Sequence, residues 1–259
     1  MMEKNSLAPF GVEIRGMDVR ALSAVSFDEL ARVIAGSKVV VIREQSMDDA
    51  AFVRFLQGFG PLTFTDGETP VENAGDLNIV SNAGRLTPAR SVFHTDTSYV
   101  EQPPSFTALR PVVLPENGAD TLFSDQVMAA RKLPAKALRF LMGRTVLHRA
   151  SGLPGQGGFS RQPLLRRHPL TGETALYLST PERCSNLSGV DANTSQRIIA
   201  GLYRHSIKPS KLYRHQWQAG DLLMWDNRVT MHRADHGHFL EERILHRGMV
   251  RGETPEFAQ

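Results

Sequence analysis

One cysteine, Cys184, is all the thiol this 259-residue chain has, and that excludes an internal disulfide. No apolar run approaches the roughly 20 residues needed to cross a bilayer. The first residues also lack the positive-then-apolar layout of an export signal. A cytoplasmic protein is the expectation. An excess of one charge is missing too: 30 basic residues face 27 acidic ones, for a net +3. That balance announces neither nucleic acid nor membrane as a partner. The longest basic cluster, Arg161 through His168, has Pro163, Leu164 and Leu165 inside it. It reads as a solvated or site-rim segment ahead of a polyanion site. Neither a Walker loop nor a dinucleotide fingerprint occurs. Internal repeats, low-complexity tracts and linkers are absent as well. What is present, 41% apolar residues, is adequate for one buried core, so residues 1–259 are read as a single domain.

Many short strand signals with a few helices between them run along the chain. Strands are predicted at 11–14, 38–43, 77–81, 106–110, 120–123, 175–179, 221–225 and 244–250. Ser26 is the predicted cap of a helix reaching Ile34, and Asp48 or Asp49 caps one that ends near Gly58. Residues 124–141 read as helix broken at Pro134. Residues 191–207 form the clearest helix, with Ile198, Ile199, Leu202 and Tyr203 on one side. Two segments, about 63–90 and 151–162, are rich in polar residues, Gly and Pro and are expected to be lid or substrate loops. The pattern predicts a mainly β fold with flanking helices, built around a sandwich or barrel core.

The most informative string is His94-Thr95-Asp96. If 90–99 is a strand, positions i and i+2 face the same side and can grip one ion. His232 lies 136 residues beyond Asp96 and would complete two imidazoles and one carboxylate. Such a facial set leaves coordination positions open and is the arrangement expected of non-heme Fe(II) oxygenases. His232 follows the strand 221–225 and Trp225-Asp226-Asn227-Arg228, and is expected just past a strand end. Arg243 and Arg247 fall on one face of the last strand, roughly 13 Å apart. Inward arginines require anions. Salt bridges to Glu241, Glu242 or Asp235 would supply them, as would two carboxylate-type ligands, one beside the metal and one beyond it. His236 and His238 form a rival ligand set with His232, but Gly237 counts against the helix it needs. His148, His168 and His246 read as hydrogen-bonded scaffold or rim residues, and Cys184 as structural.

In order and spacing, several strings make the whole chain resemble the taurine and 2,4-dichlorophenoxyacetate dioxygenase (TauD/TfdA) family. They are Phe93-His94-Thr95-Asp96, Gly118-Ala119-Asp120-Thr121, His168-Pro169-Leu170-Thr171-Gly172, Trp225-Asp226-Asn227-Arg228, His232, and Arg243 through Arg247. The resemblance implies a double-stranded β-helix (jelly-roll, cupin-like) core. It also implies an enzyme that uses Fe(II), 2-oxoglutarate and O2, releasing succinate and CO2 as it oxidises a C–H bond. By position it makes His94, Asp96 and His232 the iron ligands, and Thr121 with Arg243 the holders of the distal carboxylate of 2-oxoglutarate. Arg247 corresponds to an arginine that engages an anionic group of the primary substrate in some members. A small organic anion, above all a carboxylic acid, is therefore the expected substrate, with Phe64, Phe93 and the 151–160 loop as apolar walls. Sulfonate-binding members carry a histidine after the Phe-Gly turn, where Thr63-Phe64-Thr65 stands here. Arg90 replaces an asparagine four residues before His94 and is either a second candidate substrate contact or a solvent-facing loop residue. Both departures argue against taurine. Self-association is common in the family and is carried over as an expectation, although no interface is legible. Two other classes remain open: a metal-binding β-helix protein that does not use 2-oxoglutarate (an isomerase or small-molecule binder), and a catalytically silent relative.

Overall fold

The computed structural model describes residues 2–82, 91–116, 120–150, 157–235 and 241–259. Strands β1 (Glu3–Ser6) and β2 (Val12–Arg15) lead to helix α1 (Ala24–Ser37) and strand β3 (Val39–Ile42). The cap of α1 is Ser23, whose hydroxyl accepts from the Ser26 amide, so the helix starts earlier than the sequence suggested. Helix α2 (Asp49–Gln57) is capped by Asp48, which accepts from Ala51 N, as its sequence indicated. Then come β4 (Leu62–Thr63), β5 (Pro70–Val71), β6 (Ala74–Ser81), β7 (Phe106–Val113) and β8 (Asp120–Asp125). Helices α3 (Gln126–Arg131) and α4 (Ala135–Leu141) are indeed separated at Pro134. Short strands β9 (Thr145–Arg149), β10 (Phe159–Pro163), β11 (Leu165–Arg167), β12 (Thr174–Leu176) and β13 (Cys184–Ser185) precede helix α5 (Ala192–Ser206). The chain closes with β14 (Leu212–His215), β15 (Leu222–Asp226), β16 (Thr230–Asp235), β17 (Ile244–Val250) and β18 (Glu256–Phe257).

Two sheets make the core, a jelly-roll arrangement of mainly β structure. The larger runs β1-β2-β3-β15-β7-β17-β6-β5, with β4 also paired to β17; the smaller is β14-β8-β16. Strands β3 and β15 are buried along their whole length. Apolar residues without alternation are what a strand covered on both faces needs. One face of the large sheet presents Val40, Ile42, Leu77, Leu222 and Met224 to Leu30 and Ile34 of α1 and Phe52 and Leu56 of α2. The opposite face sends Val39, Val41, Leu109, Leu223, Trp225 and Leu245 toward Phe123 of the small sheet. The gap between the sheets continues from that second cluster into the site.

Three sequence readings require correction. Residues 91–100 are not a strand. His94 alone forms an antiparallel bridge with His232, and a turn follows at once. His232 lies inside β16, not beyond a strand end, because a tight turn at 227–229 folds β16 back from β15. The Arg161–His168 cluster is mostly inside: Gln162, Arg166 and His168 are buried. Arg166 pairs with Glu253 and lies over the Tyr177 ring, which is how a charged residue enters a core. Within 63–90 the strand expected at 77–81 is present as part of β6, with β5 paired to it; positions 83–90 and 151–156 lie outside the described residues. Among the described residues no helix is long and apolar enough to cross a membrane.

Candidate active site

His94 and His232 face each other across their mutual backbone bridge. His94 N donates to His232 O at 3.0 Å, and His232 N returns a bond to His94 O at 2.9 Å. Direct pairing brings the imidazoles together, with ring centroids 4.4 Å apart. Asp96 enters from the turn after His94, where Thr97 has φ of 43°. The Asn227 side chain holds this turn by accepting from Asp96 N (2.9 Å) and donating to Asp96 O (3.1 Å) and Pro104 O (3.1 Å). The Trp225-Asp226-Asn227-Arg228 string thus has a structural task. Asn227 clamps the turn after His94, while Asp226 accepts from Arg228 (2.6 Å) and bonds His168 (2.8 Å) to fix the turn between β15 and β16.

The carboxylate of Asp96 stands 3.6 Å from His94 Nε2 and 3.8 Å from His232 Nε2. Ligand atoms of the three residues all lie within 4.8 Å of one another. The Val92 carbonyl is 2.9 Å from His94 Nδ1. A carbonyl only accepts, so Nδ1 donates to it and Nε2 is the nitrogen left facing Asp96. His232 is buried, its Nδ1 has no partner, and its Nε2 is beyond hydrogen-bond range of Asp96. Burial pushes this imidazole down to about 3, so it is neutral at physiological pH. For Asp96, burial opposes ionisation, but the facing imidazoles and the Arg247 guanidinium hold its carboxyl far below the ordinary range. Thr107 Oγ1 donates to Asp96 Oδ2 at 3.1 Å and fixes the carboxylate orientation. One anionic oxygen donor and two imidazole nitrogens are what a divalent first-row metal takes, and the residues fit it.

Along the inner face of the small sheet, His232 is opposite Phe123 and Ala234 is opposite Thr121. Thr121 is therefore one inward position from His232, about 7 Å by the strand rise. Its Oγ1 accepts from Trp217 Nε1 (3.1 Å) and from Arg243 Nη2 (3.2 Å), leaving the hydroxyl proton free to donate. Arg243 is 3% exposed, forms no ion pair among the described residues, and has an unpartnered Nε. Burial pulls its guanidinium down to about 10, an unusual state for an arginine. Arg247 differs from expectation. It is not short of counter-ions: Nη1 reaches Asp96 Oδ1 at 3.2 Å and Nη2 reaches Glu68 Oε1 at 2.8 Å. The inward pair of arginines therefore splits into one with counter-ions and one with none among the described residues, while Nε lacks a partner in both.

These groups surround a cavity of about 450 Å³ lined by Glu68, His94, Thr121, His232, Arg243 and Arg247 among others. Its apolar walls are Ile79, Val80 and Leu109, not Phe93, which is buried against Leu122 and Met231. Sequence reasoning missed Trp217, Thr107, Glu68 and Asn78, since each acts through a partner distant in sequence. Arg90, Gly118, Ala119, His236 and His238 lie outside the described residues. His148 is buried beside Ser98 (2.8 Å), His246 bonds Asp49 (2.6 Å), and Cys184 is a buried thiol pushed up to about 12 by burial. All three are scaffold, as their sequence context suggested.

A family model for "Taurine catabolism dioxygenase TauD, TfdA family" matches residues 3–249. The chain belongs to the TauD/TfdA family. It is 28% identical over 262 residues to the alpha-ketoglutarate-dependent 2,4-dichlorophenoxyacetate dioxygenase of Cupriavidus pinatubonensis, covering 89% of this chain and 91% of that protein. Against the alpha-ketoglutarate-dependent sulfate ester dioxygenase of Pseudomonas putida it is 28% identical over 268 residues, covering 95% and 87%. A solved structure from Burkholderia xenovorans, described as a candidate alpha-ketoglutarate-dependent taurine dioxygenase, superposes with a TM-score of 0.88 at 32% identity. That alignment covers 99% of this chain and 95% of the other. Membership in the TauD/TfdA family makes this protein a 2-oxoglutarate-dependent dioxygenase, with Fe(II), 2-oxoglutarate and O2 as its requirements.

Proposed function

We propose that His94, Asp96 and His232 hold the iron, that Thr121 and Arg243 hold the distal carboxylate of 2-oxoglutarate, and that Arg247 receives the acid group of a small organic substrate. The observation that carries the reading is Arg243, a buried guanidinium without a counter-ion among the described residues, beside a threonine hydroxyl with a proton to give. An unpaired buried charge is costly, and a bound carboxylate removes that cost. A guanidinium fork and one hydroxyl suit the end of a diacid, and the short spacing from Thr121 to His232 suits a five-carbon one.

When bound, the iron supplies the oxidation of a C–H bond coupled to conversion of 2-oxoglutarate into succinate and CO2. This chain's residues supply placement. Asn227 and Thr107 fix the peptide and carboxylate of Asp96, and Val92 fixes the His94 tautomer. Ile79, Val80 and Leu109 give the cavity apolar surface that keeps water from the reacting bond. Arg247, on the same inner face as the ligand cluster, orients the substrate acid and so the carbon offered for oxidation. Relatives act on sulfate esters and phenoxyacetates by name; a carboxylic acid is the substrate we assign here, with hydroxylation the simplest outcome. The test is anaerobic titration of Fe(II)-loaded protein with 2-oxoglutarate, followed by the visible charge-transfer band of the chelate. Its appearance, with loss in His232→Ala, is the expected result. Bound iron without a band would sink the assignment of Arg243.

A further inference from the structure

Glu68 places a fixed carboxylate in the substrate cavity, against the arginine that is to receive the substrate acid. It is not on a loose strap. Its amide donates to Thr65 O at 3.2 Å, with Gly67 at φ of 83° completing the turn. The neighbouring Thr69 carbonyl accepts from Ile79 N of β6 at 2.8 Å. Thr65, itself buried, bonds through its hydroxyl to Thr97 at 2.8 Å, one residue from Asp96. The turn is thus tied both to the large sheet and to the segment carrying the ligand cluster.

The charges in the cavity then decide what it admits. Arg243 answers the distal carboxylate of 2-oxoglutarate. Asp96 answers the metal, and Arg247 is left with Glu68 as its partner. A plain monoanion docking on Arg247 would set two anions against one cation in a confined space, and like charges there repel. A substrate carrying an ammonium next to its acid restores balance, with the acid on Arg247 and the ammonium on Glu68. The Arg247–Glu68 separation of 2.8 Å requires those two groups to sit on the same or adjacent carbons. Asn78, not among the residues that line the cavity, is a buried polar neighbour of Arg247. It is opposite Arg247 in the β6–β17 register, fully buried, and neither of its amide atoms has a partner. Gly248 points at Leu56 and Leu77, so Arg247 and Asn78 share the other face.

We propose that Glu68 is a specificity-determining residue that, paired with Arg247, selects substrates bearing an ammonium beside the acid group and disfavours simple acids. This rests on the reading of Arg247 as the acid-binding residue. The experiment measures binding, not turnover: anaerobic calorimetric titration of Fe(II)- and 2-oxoglutarate-loaded protein with matched acids. The pairs are hexanoate with 2-aminohexanoate, and 4-phenylbutanoate with 2-amino-4-phenylbutanoate. Wild type is expected to favour the amino acid of a pair by roughly tenfold or more, the worth of one charge-assisted contact. Glu68→Gln, isosteric and in a turn, should abolish that preference while retaining the simple acid. Arg247→Gln should weaken both members. A wild-type preference for the simple acid, binding of no amino acid in the set, or a preference untouched by Glu68→Gln overturns the role of Glu68. Unchanged binding of both members in Arg247→Gln instead overturns the acid-binding reading beneath it.

Discussion

Replacing Arg243 with methionine should make the ligand-free protein more stable while disabling its use of 2-oxoglutarate. Burial holds the guanidinium at about 10, well below the ordinary arginine range, and the displacement corresponds to about 3 kcal/mol of destabilisation. The sign follows from the protons bound. Below pH 10 folded and unfolded chains both carry the charge, so the penalty is present in full. It fades only as pH rises above about 10, where the folded state alone has lost its proton. Methionine removes the charge and keeps the apolar stem, but gives up the bond to Thr121 and the contact with the Trp217 ring. Together those contacts offset about 1–2 kcal/mol. The net expectation is a gain of about 1–2 kcal/mol, or a rise in Tm of roughly 2–6 °C for a chain of this size. Affinity for 2-oxoglutarate should fall about 100-fold, because the fork we propose to bind its carboxylate is gone. Thermal unfolding with and without 2-oxoglutarate, beside succinate-release kinetics, reads both quantities. A variant that loses several degrees yet keeps its 2-oxoglutarate requirement would refute the reasoning and make Arg243 a structural residue.

Acid should unfold the metal-free protein early. His148 and His232 are both held at about 3 by burial, while the unfolded chain takes up those protons near 6.5. Stability present above pH 6.5 is therefore lost as pH falls toward 3, at up to about 1.4 kcal/mol per pH unit for each histidine. Urea midpoints from pH 7 to 4.5 measure the slope, which His148→Gln should reduce by about one proton. Gly248→Ala should cost about 1–3 kcal/mol, since a β-carbon there collides with Leu56 and crowds Leu77; an unchanged denaturation midpoint would contradict that packing. Asn227→Ala leaves the Asp96 peptide without its clamp. A loss of about 2–4 kcal/mol, with weaker metal binding by titration, is expected.

How much of this was legible without coordinates varies with the range of the interaction. Helix α2 and the break at Pro134 were readable because caps and proline act within a turn of themselves. Strands β3 and β15 were readable because burial on both faces leaves an unbroken apolar run. The segment around His94 was misread as a strand. Its residues have strand propensity, but Asn227 holds Asp96 in a turn, and no local signal reveals a partner 131 residues away. Arg166 was misread as solvated for the same reason, since Glu253 and Tyr177 make its burial possible.

The sequence by itself determined the kind of chemistry. Residue types fix which atoms can ligate a metal or fork a carboxylate, and His94, Asp96, His232, Thr121 and Arg243 carried that information in order. The tertiary structure alone decided which charges are already spent. Arg243 and Arg247 are equivalent in sequence, two guanidiniums on one face of one strand. Among the described residues, folding gives Arg247 the carboxylates of Asp96 and Glu68 and gives Arg243 a threonine hydroxyl and the Trp217 ring but no carboxylate. Charge balance in a buried cavity depends on every group that reaches it, and those groups come together only when the sheets close around the site.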